Sequence, residues 1–156
     1  MTILLTRKGF EKLTKELDRL LQVERPEACH MVEDTRPIGV VEDNPEYLQA
    51  IANQDRVEKQ ITDIHEVLTN CVLFNKSMCK PDTVSFGSTV ELINEETDDI
   101  KHYTIVSIYE SDVSNGLISI ECPFVRAMIG CKAGDEFDFG DNTYVINNIS
   151  YDTSIY

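Results

Sequence analysis

The sequence has no tryptophan, few basic residues and no long apolar run. Its apolar stretches fall far short of the roughly 20 residues that a helix needs to cross a bilayer. No basic start followed by an apolar stretch is present, so we expect a cytoplasmic protein without a membrane segment. At 42% hydrophobic residues, the chain of 156 residues is too apolar to be disordered and should fold.

Paired cysteines at metal-ligand spacing are also missing. The five cysteines are Cys29, Cys71, Cys79, Cys122 and Cys131. This odd number without a CxxC pair predicts reduced thiols rather than a disulfide framework or a zinc site. The histidines are His30, His65 and His102. They are far apart in sequence, so we interpret them as structural or exposed and expect no cofactor of the protein's own.

Positive charge is scarce, with 14 Lys and Arg against 28 Asp and Glu and a net charge of −14. Proteins that bind nucleic acid neutralise phosphates with Lys and Arg, so little direct nucleic-acid binding is expected. Up to Asn75 the chain carries 9 basic against 14 acidic residues, and after it 5 against 14. The acidic excess of the second part suits a basic protein partner.

Two apolar seams at helical spacing occupy the first half of the chain. The first is Phe10, Leu13, Leu17 and Leu20, and the second is Tyr47, Ala50, Gln54, Val57, Ile61, Ile64 and Leu68. Thr6 is suited to cap the first helix. Near Pro26 the first seam weakens, which predicts a kink or irregular turn, and it resumes at Ala28 and Met31.

The segment 36–45 contains two prolines and a glycine, so the chain must turn between the two seams. Two helices with narrow apolar faces pair most economically as an antiparallel coiled coil, which we predict for residues 1–75. About thirty residues per helix would make this hairpin on the order of 40 to 45 Å long. The alternative is a hairpin folded back as half of a helical bundle.

Beyond a polar linker at 76–82, the pattern changes to that of strands. Strands are predicted at 88–93, 103–108, 117–120 and 144–149, and a short helix at 123–130. Residues 83–156 should therefore form a small sheet packed by one helix, so that the whole chain is of class α+β.

Both halves resemble one family, the Gre transcript-cleavage factors. The hairpin residues that carry the resemblance are Thr6, Gly9, Leu13, Glu16, Leu17, Leu20, Arg25, Pro26, Gly39, Asn44, Glu46 and Tyr47. Those of the second part are 86–90, 116–119, Pro123, Ala127, Ile129, Gly130, Lys132, Gly134 and Asp135. The match spans nearly the whole chain, and the order and spacing of these individually weak motifs make it specific.

The resemblance implies a monomeric transcription elongation factor rather than an enzyme acting alone. Its C-terminal domain would have a fold similar to FK506-binding proteins and dock at the secondary channel of bacterial RNA polymerase, while the hairpin enters the channel. In the family, carboxylates at the hairpin tip help hold magnesium at the polymerase active centre, so that the polymerase cleaves backtracked RNA. The residues implied for partner binding are Asn44, Tyr47, Ser119, Pro123 and Gly130.

At the tip the chain departs from its family. Val40 stands where the first acid is expected, and valine cannot coordinate a metal, whereas Asp43 keeps a carboxylate at the second position and Glu42 is an additional acid. Glu42 and Asp43 are therefore the candidate catalytic and magnesium-binding residues, acting only in the complex with polymerase. Alternatively, the tip occupies the channel without positioning metal, and the protein is a competitor or inhibitor of polymerase.

Further interpretations remain open. Glu42 and Asp43 could be solvated loop acids, with Asp43 or Asn44 capping the second helix. A proline-isomerase-like or chaperone-type domain is suggested by the implied C-terminal fold alone, but it would not need the hairpin. A related channel-binding group has a four-cysteine zinc finger, which the cysteine spacing disfavours. No grouping at interpretable spacing favours a stand-alone hydrolase.

Overall fold

The computed structural model describes residues 2–36, 44–152 and 154, which belong to two compact units. One unit, here called the sheet unit, comprises residues 1–10 and 71–156, and the other, the hairpin unit, comprises residues 11–70. The domains predicted from the sequence, 1–75 and 83–156 with a linker at 76–82, divide the chain differently. The difference arises because the first ten residues contact the C-terminal part of the chain.

The hairpin unit consists of paired helices. They are α1 (Arg7–Arg19), α2 (Arg25–Thr35) and α3 (Pro45–Asn70), with a π-helical turn at Leu20–Glu24 between the first two. At the start of α2, Arg25 contacts Glu58. At its end, Thr35 contacts Asn44. Residue numbers on α3 thus fall as those on α2 rise, and the predicted antiparallel arrangement is confirmed.

The π-helical turn lies next to Pro26. The N–H of Arg25 bonds to the carbonyl of Leu20, five residues earlier instead of the usual four. Pro26 follows in the first turn of α2, and because it has no N–H it cannot continue the helical hydrogen bonds there. The irregular turn predicted near this proline is therefore confirmed.

The same turn changes which residues face the partner helix. Met31 was predicted to lie in the apolar seam, and this prediction is wrong: its side chain is 52% exposed. The neighbouring Val32 is buried in its place, at 8% exposure, and Ala28 is buried as predicted. A π turn contains one residue more than an α turn, so the seam moves by one position along α2.

A narrow apolar core holds the hairpin together. Its buried members are Leu20, Ala28, Val57 and Ile61, against which Leu17, Leu21 and Ile64 pack. Burying a side chain of this kind contributes roughly 1.5 to 3 kcal/mol, so a few seam residues account for most of the pairing energy. The interior of α3 contains neither glycine nor proline, which allows its 26 residues to form one unbroken helix.

The described part of the sheet unit contains two sheets, the first turn of α1 and one short α-helix. The strands are β1 (Ile3–Leu5), β2 (Cys71–Leu73), β3 (Ser88–Asn94), β4 (Ile100–Val106), β5 (Leu117–Ser119), β6 (Glu136–Phe139) and β7 (Asn142–Tyr151), and the helix is α4 (Pro123–Met128). β1 and β2 form a parallel pair. The other strands form a five-stranded sheet in the order β5-β4-β3-β7-β6, in which only the β4–β5 pair is parallel.

The core of this unit lies between the five-stranded sheet and α4. Its buried residues are Val84, Val90, Leu92, Ile105, Ile118, Val125, Met128, Phe137 and Ile146. The predicted strands overlap with β3, β4, β5 and β7, and the predicted short helix overlaps with α4. The α+β class is thus confirmed, while β1, β2 and β6 were not predicted.

Candidate functional site

The distal end of the described hairpin is closed by Asn44. Its Oδ1 accepts a hydrogen bond from the N–H of Tyr47 at 3.0 Å, the geometry of a helix N-cap. Its Nδ2 donates to the carbonyl of Thr35 at 3.4 Å, across the hairpin. One side chain therefore caps α3 and ties it to the last residue of α2.

This geometry confirms one of the alternatives weighed for the tip, namely that Asn44 caps the second helix. Tyr47 is half-buried and lies in the first turn that Asn44 caps. Asn44 thus has a structural role, to which Tyr47 contributes its backbone N–H, and the predicted contact of both residues with a partner stays a prediction. The candidate carboxylates Glu42 and Asp43, together with Val40, lie outside the described residues.

Below the tip, the two helices are joined by an ion pair between Arg25 and Glu58. Nε and Nη2 of Arg25 donate to the two carboxylate oxygens of Glu58, each at 2.7 Å. The hydrogen bonds from this guanidinium, together with its positive charge, lower the pKa of Glu58. Sequence reasoning missed this pair, because its members belong to different helices and only the register of the hairpin brings them together.

In the sheet unit, the three residues predicted to bind a partner lie on the segment that leads through α4. Ser119 ends β5 and is only 9% exposed. Its Oγ accepts a hydrogen bond from the N–H of Glu121 at 3.1 Å, and its carbonyl accepts one from the N–H of Cys122. The serine hydroxyl is therefore engaged in shaping the turn before α4.

Pro123 and Gly130 bracket this helix. Pro123 is exposed at its start, where Cys122 provides no side-chain cap. Gly130 has a φ of +87°, and its N–H donates to the carbonyl of Val84 at 3.0 Å. Pro123 and Gly130 are the surface positions of the predicted docking segment, and for them as for Ser119 partner binding stays a prediction.

The described residues also lack the features of a metal site and of a membrane span. Among residues 2–36, 44–152 and 154, no group of three or more His, Cys, Asp and Glu side chains could hold a metal ion. Within the same ranges, no helix is both long and apolar enough to cross a membrane.

Burial, and to a lesser extent the nearby Asp135, raises the pKa of the Cys131 thiol, which lowers its reactivity.

The architecture defines the protein as one with an antiparallel helical hairpin, capped at its distal end, and an α+β sheet unit. A family model described as "Transcription elongation factor, N-terminal" matches residues 3–73, and one described as "Transcription elongation factor, GreA/GreB, C-term" matches residues 79–151. Together they span nearly the whole chain. The chain belongs to the GreA/GreB family of transcription elongation factors.

Two GreA proteins agree with this assignment, and one solved structure is similar to the chain over most of its length. The transcription elongation factor GreA of Nautilia profundicola is 36% identical over 152 residues, which cover 95% of this chain and 94% of the relative. The GreA of Sulfurovum sp. is 37% identical over 147 residues, covering 92% and 91%. The crystal structure of the GreA factor homolog 1 protein of Thermus thermophilus is similar over 96% of this chain and 99% of that one, with 22% identity and a TM-score of 0.45.

Proposed function

We propose that this protein binds bacterial RNA polymerase in the cytoplasm and acts on elongation complexes whose RNA has backtracked. The family match, which covers the hairpin and the sheet unit alike, is the observation that carries this proposal. On this proposal the sheet unit docks at the secondary channel and the hairpin enters it. The protein is then an accessory factor that stimulates the polymerase's own RNA cleavage and has no cofactor of its own.

The proposed chemistry uses the acids of the tip. Magnesium prefers hard oxygen ligands, and two such ions stabilise both the attacking and the leaving oxygen during phosphodiester cleavage. Glu42 and Asp43 would supply carboxylate oxygens to the second magnesium ion at the polymerase active centre. Asn44 supports this role because it holds the chain that leaves the tip in a fixed position between α2 and α3.

A second candidate function is motivated by Val40. The family's first tip acid is replaced there by a side chain that cannot bind metal. Neighbouring residues in an extended turn point in different directions, which disfavours a single ion shared by Glu42 and Asp43. On this alternative, the hairpin occupies the channel and slows or blocks polymerase without promoting cleavage.

Binding is tested with purified protein and core RNA polymerase from the same source, at micromolar protein and low salt. The proposal expects a complex that weakens as salt is raised, because an acidic protein would meet a basic partner surface. Absence of binding under these conditions would reject both candidate functions.

Cleavage is tested on stalled, backtracked complexes, with the parent protein beside Val40→Asp, Glu42→Gln and Asp43→Asn. Shortened RNA with the parent, lost in Asp43→Asn or in Glu42→Gln, supports stimulated cleavage by the tip acids. Slowed synthesis without shortening supports the competitor instead. Strong cleavage gained only by Val40→Asp would show that the missing acid is what separates the two functions.

A further inference from the structure

A buried carboxylate, that of Glu110, bonds to the residue that begins the hairpin's first helix. Its Oε2 accepts a hydrogen bond from the N–H of Thr6 at 3.1 Å, and its Oε1 accepts one from the Thr6 hydroxyl. Ser107 donates its hydroxyl to the same Oε2 at 2.9 Å. Only 5% of Glu110 is exposed, and Thr6 and Ser107 are buried as well. The two bonded segments lie 104 residues apart in the chain.

Thr6 connects this carboxylate to the first turn of α1. Its Oγ1 donates to Glu110 and accepts from the N–H of Gly9 at 3.1 Å, so that it is the N-cap predicted from the sequence. The carbonyl of Thr6 accepts the next helical bond, from Phe10 at 3.0 Å. A negative charge at this place is favoured by the partial positive charge of the helix N-terminus.

Gly9 allows the carboxylate to come this close. A Cβ at this position would lie 2.1 Å from both Cδ and Oε1 of Glu110, well inside van der Waals contact. Any side chain would therefore displace Glu110 from Thr6. Thr6 and Gly9 therefore both serve the contact with Glu110. The proposed roles of the tip and of the docking segment do not involve this contact.

The contact lies where the chain passes from strand β1 to helix α1. β1 ends at Leu5 and α1 begins at Arg7, so Thr6 is the single residue between strand and helix. Helix α1 begins in the sheet unit and continues into the hairpin unit, whose first residue is Glu11. A contact that fixes the first turn of α1 therefore fixes the start of the helix that continues into the hairpin unit.

We infer that Glu110 is a positioning residue, which fixes the first turn of α1 through Thr6 and Gly9, and that the action of the protein on RNA depends on this fixed helix start. This inference rests on the proposed function. Among the described residues, Glu110 makes its hydrogen bonds to Thr6 and Ser107 and none to the predicted docking residues Ser119, Pro123 and Gly130. Its loss should therefore impair the action of the tip and spare binding to polymerase.

The test compares Glu110→Gln and Gly9→Ala with Asp141→Asn, which removes the same charge as the first variant at an exposed site of the same unit. Glutamine replaces one acceptor oxygen by an NH₂ group, so at least one donor of Thr6 or Ser107 loses its partner. We expect the effect of the protein on RNA in backtracked complexes, cleavage or slowed synthesis, to fall by about tenfold to a hundredfold, the upper figure being what a misplacement of about 1 Å can cost in a catalytic site. The dissociation constant for core polymerase should stay within about twofold of that of the parent, which corresponds to only a small change in the free energy of binding.

A second measurement is independent of polymerase. Hydrogen exchange at the amides of Gly9 and Phe10 should be faster in Glu110→Gln than in the parent, and unchanged in Asp141→Asn. If Glu110→Gln shows no cooperative melting, Ser107→Ala is compared with the parent and with Asp141→Asn in its place. This variant removes one donor to Glu110 and adds no bulk. Unchanged exchange together with an unchanged effect on RNA would overturn the inference.

The proposed function and the inference about Glu110 are refuted by different results. A parent protein that neither binds polymerase nor affects RNA refutes the proposed function, while faster exchange in Glu110→Gln would still establish the anchoring of α1. A parent that acts on RNA, with variants that act equally well, refutes the positioning role alone. Equal losses of binding and of the effect on RNA would assign Glu110 to general stability of the unit and would also overturn the inference.

Discussion

Arg25 and Glu58 face each other across the hairpin in a two-pronged ion pair, with both nitrogen to oxygen distances at 2.7 Å. Arg25 directly follows the π-helical turn, and Glu58 lies next to the buried Val57 of α3. The pair therefore joins the two helices just where the first one is irregular. Both side chains are almost half exposed, so salt and water screen their attraction.

The pair makes the stability of the hairpin dependent on pH. Hydrogen bonds from Arg25 lower the pKa of Glu58 from 4.5 in the folded state, so the stabilisation is present above that value and is lost as pH falls through the lowered pKa. The difference in unfolding free energy between the parent and Glu58→Gln should therefore be larger near pH 7 than near pH 3. Urea unfolding at both values measures it.

Asp63→Asn, an exposed acid on the same helix, serves as the control for charge alone. A difference that is equal for both variants at both pH values would show that the ion pair contributes nothing specific.

Because Val32 is buried and Met31 is exposed, alanine should affect the stability of the hairpin differently at these two neighbouring positions. Val32→Ala removes buried methyl groups and should lower the free energy of unfolding by about 1 to 2 kcal/mol. Met31→Ala removes exposed atoms and should change it by no more than about 0.5 kcal/mol. Urea denaturation of the two variants beside the parent decides the matter, and the reverse order would mean that α2 continues α1 without a π turn.

Two substitutions at Asn44 separate its two hydrogen bonds. Asn44→Ala removes the cap of α3 and the bond to Thr35, and it should cost about 1 kcal/mol or somewhat more. Asn44→Asp keeps the capping oxygen and loses only the donor, so it should cost less than Asn44→Ala. Thermal melting followed by circular dichroism measures both, and equal losses would show that the 3.4 Å bond across the hairpin dominates.

Gly87 and Gly134 form a matched pair in the sheet unit. Both have positive φ, +84° and +91°, so alanine is strained at either position by roughly 1 to 2 kcal/mol. At Gly87 a Cβ would also lie 2.6 Å from a ring carbon of Phe74, whereas at Gly134 no atom lies within 4 Å. Gly87→Ala should therefore be the more destabilising by about 1 to 3 kcal/mol, the usual cost of overpacking. Equal shifts in melting temperature would contradict this account.

Local patterns were sufficient to predict much of the fold. Unbroken helical spacing identified α3, and alternation of apolar and polar residues identified β3, because each element is long enough to repeat its period several times. Thr6 and Asn44 could be proposed as caps because their side chains bond to backbone within three residues. These predictions depended on short-range chemistry alone.

The features that were missed depend on contacts distant in sequence. β1 and β2 have three residues each and acquire their hydrogen bonds only by pairing with each other. Met31 was misplaced because the extra residue of the π turn has no period of its own in the sequence. Glu110 looks like any surface acid until the fold buries it against Thr6.

The chain enters the hairpin unit after Phe10 and returns to the sheet unit at Cys71, so the hairpin is inserted into one continuous fold. Parallel pairing of β1 with β2 brings the two flanks of the insertion side by side. Residues 11–70 can thus be treated as a cassette. Grafting the corresponding segment of a GreA relative between these two points would exchange the tip while leaving the framework of the sheet unit intact.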